Sequence, residues 1–127
     1  MAIHLSPDTL VLSVPGWQSS PPGHWQTIWE QNGGPSFVRV EQRDWENADL
    51  ASWVSVLDDS LARLRRPVLL LAHSLGALTV VHWASASRRV TQVEGAFLVA
   101  PPDVECSVRC PSCLHSFSPI PRDILPF

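Results

Sequence analysis

The sequence predicts a doubly wound α/β domain, a mostly parallel sheet of about four strands with flanking helices, and three observations carry that prediction. Four short apolar runs recur along the chain, helical periodicities fill the intervals between them, and a serine stands where the third run passes into a helix. Strand alternating with helix at this spacing, joined by right-handed crossovers, leaves few other topologies.

The runs are Thr9 to Val14, Ser36 to Glu41, Pro67 to Ala72 and Gly95 to Ala100, three of them nearly all apolar, as a sheet covered on both faces requires. A short helix over Trp25 to Gln31 is stopped by Gly33-Gly34-Pro35. The clearest helix carries Leu50, Trp53, Val54, Leu57, Leu61 and Leu64 on one face, with Asn47 or Asp49 able to cap it and Asp59 and Arg63 spaced as an i,i+4 ion pair. A third helix runs from Leu75 to Ala86.

After Ala100 the periodicity stops, and six prolines follow before Phe127. The chain therefore divides into a domain over 1–105 and a Pro/Cys-rich tail over 106–127. The fourth run is expected to form a sheet edge unless the tail or another chain covers it, which makes self-association through that edge a possible partner mode.

At 127 residues and 45% hydrophobic, the chain has the size of one domain with a real core. Its nine arginines, with no lysine, are scattered within a net charge of −3, so no basic stripe for nucleic acid is present. Met1 to Asp8 lacks a positive leader, giving a cytoplasmic expectation. The uncharged stretch Pro67 to Ala84 has membrane-span length, but His73, Ser74, Gly76 and His82 fit a strand, turn and helix better than hydrocarbon. No membrane partner is expected.

Ser74 lies in Leu71-Ala-His-Ser-Leu-Gly76 with small residues two before and two after it, as the sharp turn of a nucleophile elbow requires. In such a turn the N–H of Leu75 and a backbone N–H from the loop Pro15-Gly16-Trp17 can converge on a developing oxyanion. The same residues also suit a plain helix N-cap after a buried strand, and local pattern leaves both readings open.

Taken together, Val14-Pro-Gly-Trp17, His24-Trp-Gln26 with Trp29-Glu30, Val40-Glu-Gln42 with Asp44-Trp45, the Ser74 segment, His82-Trp-Ala84 and Val99-Ala-Pro-Pro-Asp-Val-Glu105 resemble a family. It is that of the small serine hydrolases typified by retinoblastoma-binding protein 9 and YdeN, within the α/β-hydrolase superfamily. The resemblance spans nearly the whole chain. It implies Ser74 as nucleophile, the backbone at Trp17 with Leu75 as oxyanion hole, and a small ester, amide or peptide-like acyl substrate. It also implies two further strands, carrying the catalytic aspartate and histidine, beyond Phe127. On that reading the chain is C-terminally truncated and weakly active or inactive; a non-catalytic binding module of hydrolase fold is the alternative.

A serine hydroxyl needs a base within hydrogen-bonding reach and a third group to orient that base. His73 is expected to support the turn, His82 to be structural, and His24 to pack or line the site rim. Asp103 follows the fourth run and His115 follows Asp103, the chain order a makeshift triad with Ser74 requires. Cys106, Cys110, Cys113 and His115 fall within ten residues, but their spacing suits neither a zinc knuckle pair nor a thioredoxin-like motif. The three cysteines are read as free thiols, and no metal or cofactor is expected. Of six tryptophans, most are expected in the core and Trp17 in a pocket wall.

Overall fold

A computed structural model describes residues 7–106 and 110–127. Four strands, β1 (Leu10–Val14), β2 (Phe37–Arg39), β3 (Val68–His73) and β4 (Val93–Val99), pair in parallel in the order β2-β1-β3-β4. They fall on the four predicted runs, so the α/β reading holds. β4 starts earlier than its apolar pattern suggested because the register shifts between Val68 and Leu69: their partners are Val93 and Gly95, and Glu94 is the extra residue.

Among the described residues the α-helices are α1 (Trp25–Gly33), α2 (Leu50–Leu64) and α3 (Leu75–Ala86). Asp49, not Asn47, caps α2, its carboxylate accepting the Ser52 N–H at 3.0 Å. The expected Asp59–Arg63 ion pair does not form. Arg63 instead reaches the Ser60 hydroxyl at 3.4 Å, in keeping with how little an exposed pair gains over the side-chain freedom it costs.

Alternation along the strands divides the side chains between two layers. Leu12, Val14, Leu70 and Ala72 face α2 and α3 and pack with Val56, Leu57, Leu61, Val80 and Trp83 into the main core. Ser13 faces the other layer, where it meets Gln26 of α1.

The described residues after Ala100 are irregular apart from a 3-10 turn at Ser112–Phe117, yet they are packed. Leu114 and Phe117 join Trp53, Leu75, Leu78 and Val104 in a second cluster. The Leu50 N–H donates to the Ser116 hydroxyl at 3.1 Å, and Phe127 lies 6.5 Å from Trp83, ring to ring. β4 stands at the sheet edge with Phe97 on it 52% exposed.

Candidate active site

The sheet order places a switch point between β1 and β3, because the chain leaves β1 toward β2 on one side and later adds β3 and β4 on the other. Ligand crevices of open α/β sheets form beyond the strand C-termini at such a point. The loop after β1 carries Gly16 and Trp17, and the turn after β3 carries Ser74.

Ser74 has φ 55° and ψ −123°, a backbone region glycine occupies freely and other residues enter only under constraint. Its N–H donates to the Val99 carbonyl at 2.9 Å, which ties the turn to the end of β4. Ser74 stands at the N-cap position of α3, but its side chain makes no capping hydrogen bond. The residue is partly exposed, and its hydroxyl has no hydrogen-bond partner among the described residues.

Two glycines let the turn form. A Cβ on Gly76 would run into the Val14 carbonyl oxygen and stand 2.7 Å from that of Pro15, so α3 can leave the turn only with glycine there. A Cβ on Gly16 would stand 2.9 Å from the Ser74 Cβ and 3.2 Å from the Leu75 nitrogen. The Gly16–Trp17 peptide therefore lies directly against the serine turn. Neither the Trp17 nor the Leu75 N–H has a hydrogen-bond partner among the described residues, and the Leu75 N–H opens α3, where the helix dipole favours negative charge.

The family model for serine hydrolases matches residues 11–127. The chain belongs to the serine hydrolase family. The crystal structure of a YdeN-like hydrolase from Pectobacterium atrosepticum is similar at 34% sequence identity with a TM-score of 0.70, the match covering 82% of this chain and 56% of that one. The chain thus spans little more than half the length of that hydrolase. Among the curated proteins nothing matches.

The imidazoles occupy other positions. His82 hydrogen-bonds the Phe117 carbonyl at 2.7 Å and pins the 3-10 turn to α3. His24 caps α1, its Nδ1 accepting the Gln26 N–H at 3.2 Å, and its ring meets His73 edge to face at 4.7 Å. Trp25 stands at 90° to His73, 5.8 Å away. Burial, and secondarily the His24 charge, hold the His73 pKa below the ordinary imidazole value.

Asp103 accepts the Glu105 N–H at 3.0 Å in a local turn, and exposed His115 lies 3.2 Å from the Cys110 carbonyl. Among the described residues no hydrogen bond joins either to Ser74 or to the other. Cys106 and Cys110 are half-buried, the Cys113 side chain lies outside the described residues, and among those described no three His, Cys, Asp or Glu side chains gather as metal ligands. No described helix is long and apolar enough to cross a membrane.

Trp17 is half-buried, donating its indole N–H to the Glu46 carbonyl at 2.7 Å and packing on the second cluster. Trp53 and Trp83 are buried as expected, but Trp29 is 50% exposed. The buried residue of α1 is instead Gln26. Periodicity, which ranks inward positions by apolarity, carried no sign of it.

Proposed function

We propose that Ser74 is the nucleophile of a hydrolase acting on a small ester, amide or peptide-like acyl bond, with the N–H groups of Trp17 and Leu75 receiving the oxyanion. The Ser74 oxygen would bond to the acyl carbon, the leaving alcohol or amine would depart with a proton, and water would then release the acid and restore the hydroxyl. The observation that carries this reading is the strained Ser74 turn, its hydroxyl unengaged, packed against the Gly16–Trp17 peptide at the switch point. An isolated N-cap would need no such strain.

No imidazole among the described residues is hydrogen-bonded to Ser74, so on this reading the described residues supply a nucleophile and oxyanion donors with no base engaged. Such a site retains on the order of 10³–10⁴-fold catalysis over water in well-studied serine hydrolases. A fluorophosphonate probe read by intact mass, with Ser74→Ala as control, tests the reading. Slow labelling that requires Ser74 and is accelerated by added imidazole is expected. Labelling indifferent to Ser74→Ala would overturn the assignment, and rapid stoichiometric labelling would show that a base is supplied after all.

A second reading, a binding module of hydrolase fold, is favoured by one observation: the β4 edge with exposed Phe97. Edge-to-edge pairing of two copies through β4 would extend the sheet. Sedimentation should then show a dimer that Phe97→Asp dissociates; a monomer at all concentrations would count against it.

A further inference from the structure

We propose that Gln26 is a positioning residue that holds the Gly16–Trp17 peptide at a fixed height against the Ser74 turn. Its chemical consequence rests on the reading of Ser74 as nucleophile; its structural consequence does not.

Gln26 is fully buried, and its carboxamide joins three segments. The oxygen accepts the Ser20 hydroxyl at 2.9 Å. The nitrogen donates to the Leu71 carbonyl at 3.0 Å, the Ser13 hydroxyl at 3.3 Å and the Val14 carbonyl at 3.4 Å, three acceptors for two hydrogens. Ser13 and Leu71 face each other in the β1–β3 ladder. Two residues beyond Val14 is Gly16, and three beyond Leu71 is Ser74. The amide therefore grips both strands just below the points where the oxyanion loop and the nucleophile turn leave them.

An apolar side chain would fill this space without needing partners, whereas a buried amide is costly unless every hydrogen bond is made. What the amide adds is direction. The loop it holds needs that constraint, since Gln18 and Ser19 both have positive φ, 66° and 64°. From the other side Arg39 donates to the Ser20 carbonyl at 3.2 Å and the Ser19 hydroxyl at 3.3 Å, while Glu30 and Thr27 hold the guanidinium. Convergence of two N–H groups on one oxygen tolerates errors of only about half an ångström, so the spacing of these strand ends matters to chemistry as well as to packing.

The test compares Gln26→Met, which keeps length without polarity, with Gln26→Glu and the intact chain. In Gln26→Met the amide cross-peaks of Trp17 and Leu75 should move, and exchange of the Gln18 and Ser19 amides should accelerate about tenfold or more while β3 amides stay protected. In Gln26→Glu the cross-peaks should return toward their original positions as pH is lowered, because a neutral carboxyl restores a donor toward Leu71. Fluorophosphonate labelling of Ser74 should slow about tenfold in Gln26→Met at a temperature where both chains are fully folded, although the buried groups left unpaired lower its melting temperature by several degrees. Unmoved Trp17 and Leu75 cross-peaks, or uniform acceleration in every element, would overturn the proposal. Should Gln26→Met fail to fold, Ser20→Ala removes one bond only and should show the same pattern in smaller measure, its absence counting equally against the proposal. If the intact chain is never labelled, the nucleophile reading falls alone and the exchange pattern still decides the role of Gln26.

Discussion

Gly16 lies so close to Ser74 that a Cβ built on it would stand 2.9 Å from the Cβ of the serine. Gly16→Ala must push the two turns apart by some tenths of an ångström. Its expected effect is a clear loss of probe labelling with a modest loss of stability, read by comparing labelling rate with the thermal midpoint. Gly76→Ala meets backbone carbonyls that cannot swing away, and should cost about 3 kcal/mol or more in urea unfolding, the upper range for overpacking.

Ser74 itself sits where glycine is at ease. Ser74→Gly should therefore abolish labelling and raise stability, by about 1 kcal/mol once the greater freedom of glycine in the unfolded chain is set against relief of the strain. Calorimetry of Ser74→Gly beside Ser74→Ala separates backbone relief from loss of the hydroxyl. Equal melting temperatures would remove strain from the account.

The Asp58 carboxylate binds α2 to α3 by accepting the buried Trp83 indole N–H at 2.9 Å and the Ser87 hydroxyl at 2.8 Å, with Arg89 at 3.3 Å. Desolvation pushes its pKa up, but the donors from Trp83, Ser87 and Arg89 together outweigh this and hold it below the ordinary 3.8. Its stabilising effect is therefore full above pH 3.8 and lost as pH falls through the lowered folded value. Asp58→Ala should cost about 1–3 kcal/mol at neutral pH, the range for a buried donor left unpaired, and flatten this part of the acid limb. Urea titrations at neutral and acidic pH check both.

His73 works in the opposite sense from a histidine that gains a partner. Burial first, and the His24 charge second, lower its folded pKa, so the unfolded chain binds the proton more readily. Stability should fall as pH drops through the ordinary 6.5 toward the lowered folded value, and the penalty should be constant below that. His24→Asn retains a capping side chain for α1 while removing the neighbouring charge. Proton NMR titration should show the His73 midpoint rising in that variant.

The parts of the fold legible in the sequence were those written in spacing. The strand runs, the Leu50 to Leu64 face and the glycines around Ser74 report period and steric need, and they placed β1, β3, α2 and the turn. The bulge at Glu94 shifted the start of β4 because register is decided between strands, not within one. Nothing in spacing marks Gln26 as buried, because a polar residue becomes a core residue through partners as distant as Leu71. Asp103 and His115 had the right chain order, but order says nothing about loop paths, and each bonds close to itself in sequence.

The second cluster also orders events during synthesis. Trp53 on α2 is sealed by Phe117, ring centroids 5.7 Å apart, although the whole stretch of chain between them must be made first. At ribosomal rates of about 5–20 residues per second, α2 waits several seconds with the Phe117 side of its indole uncovered, while Trp45 already packs on it at 5.6 Å. In that interval the nascent chain presents a sticky helix to any chaperone in reach, and the final compaction of the domain is a late event by construction of its topology.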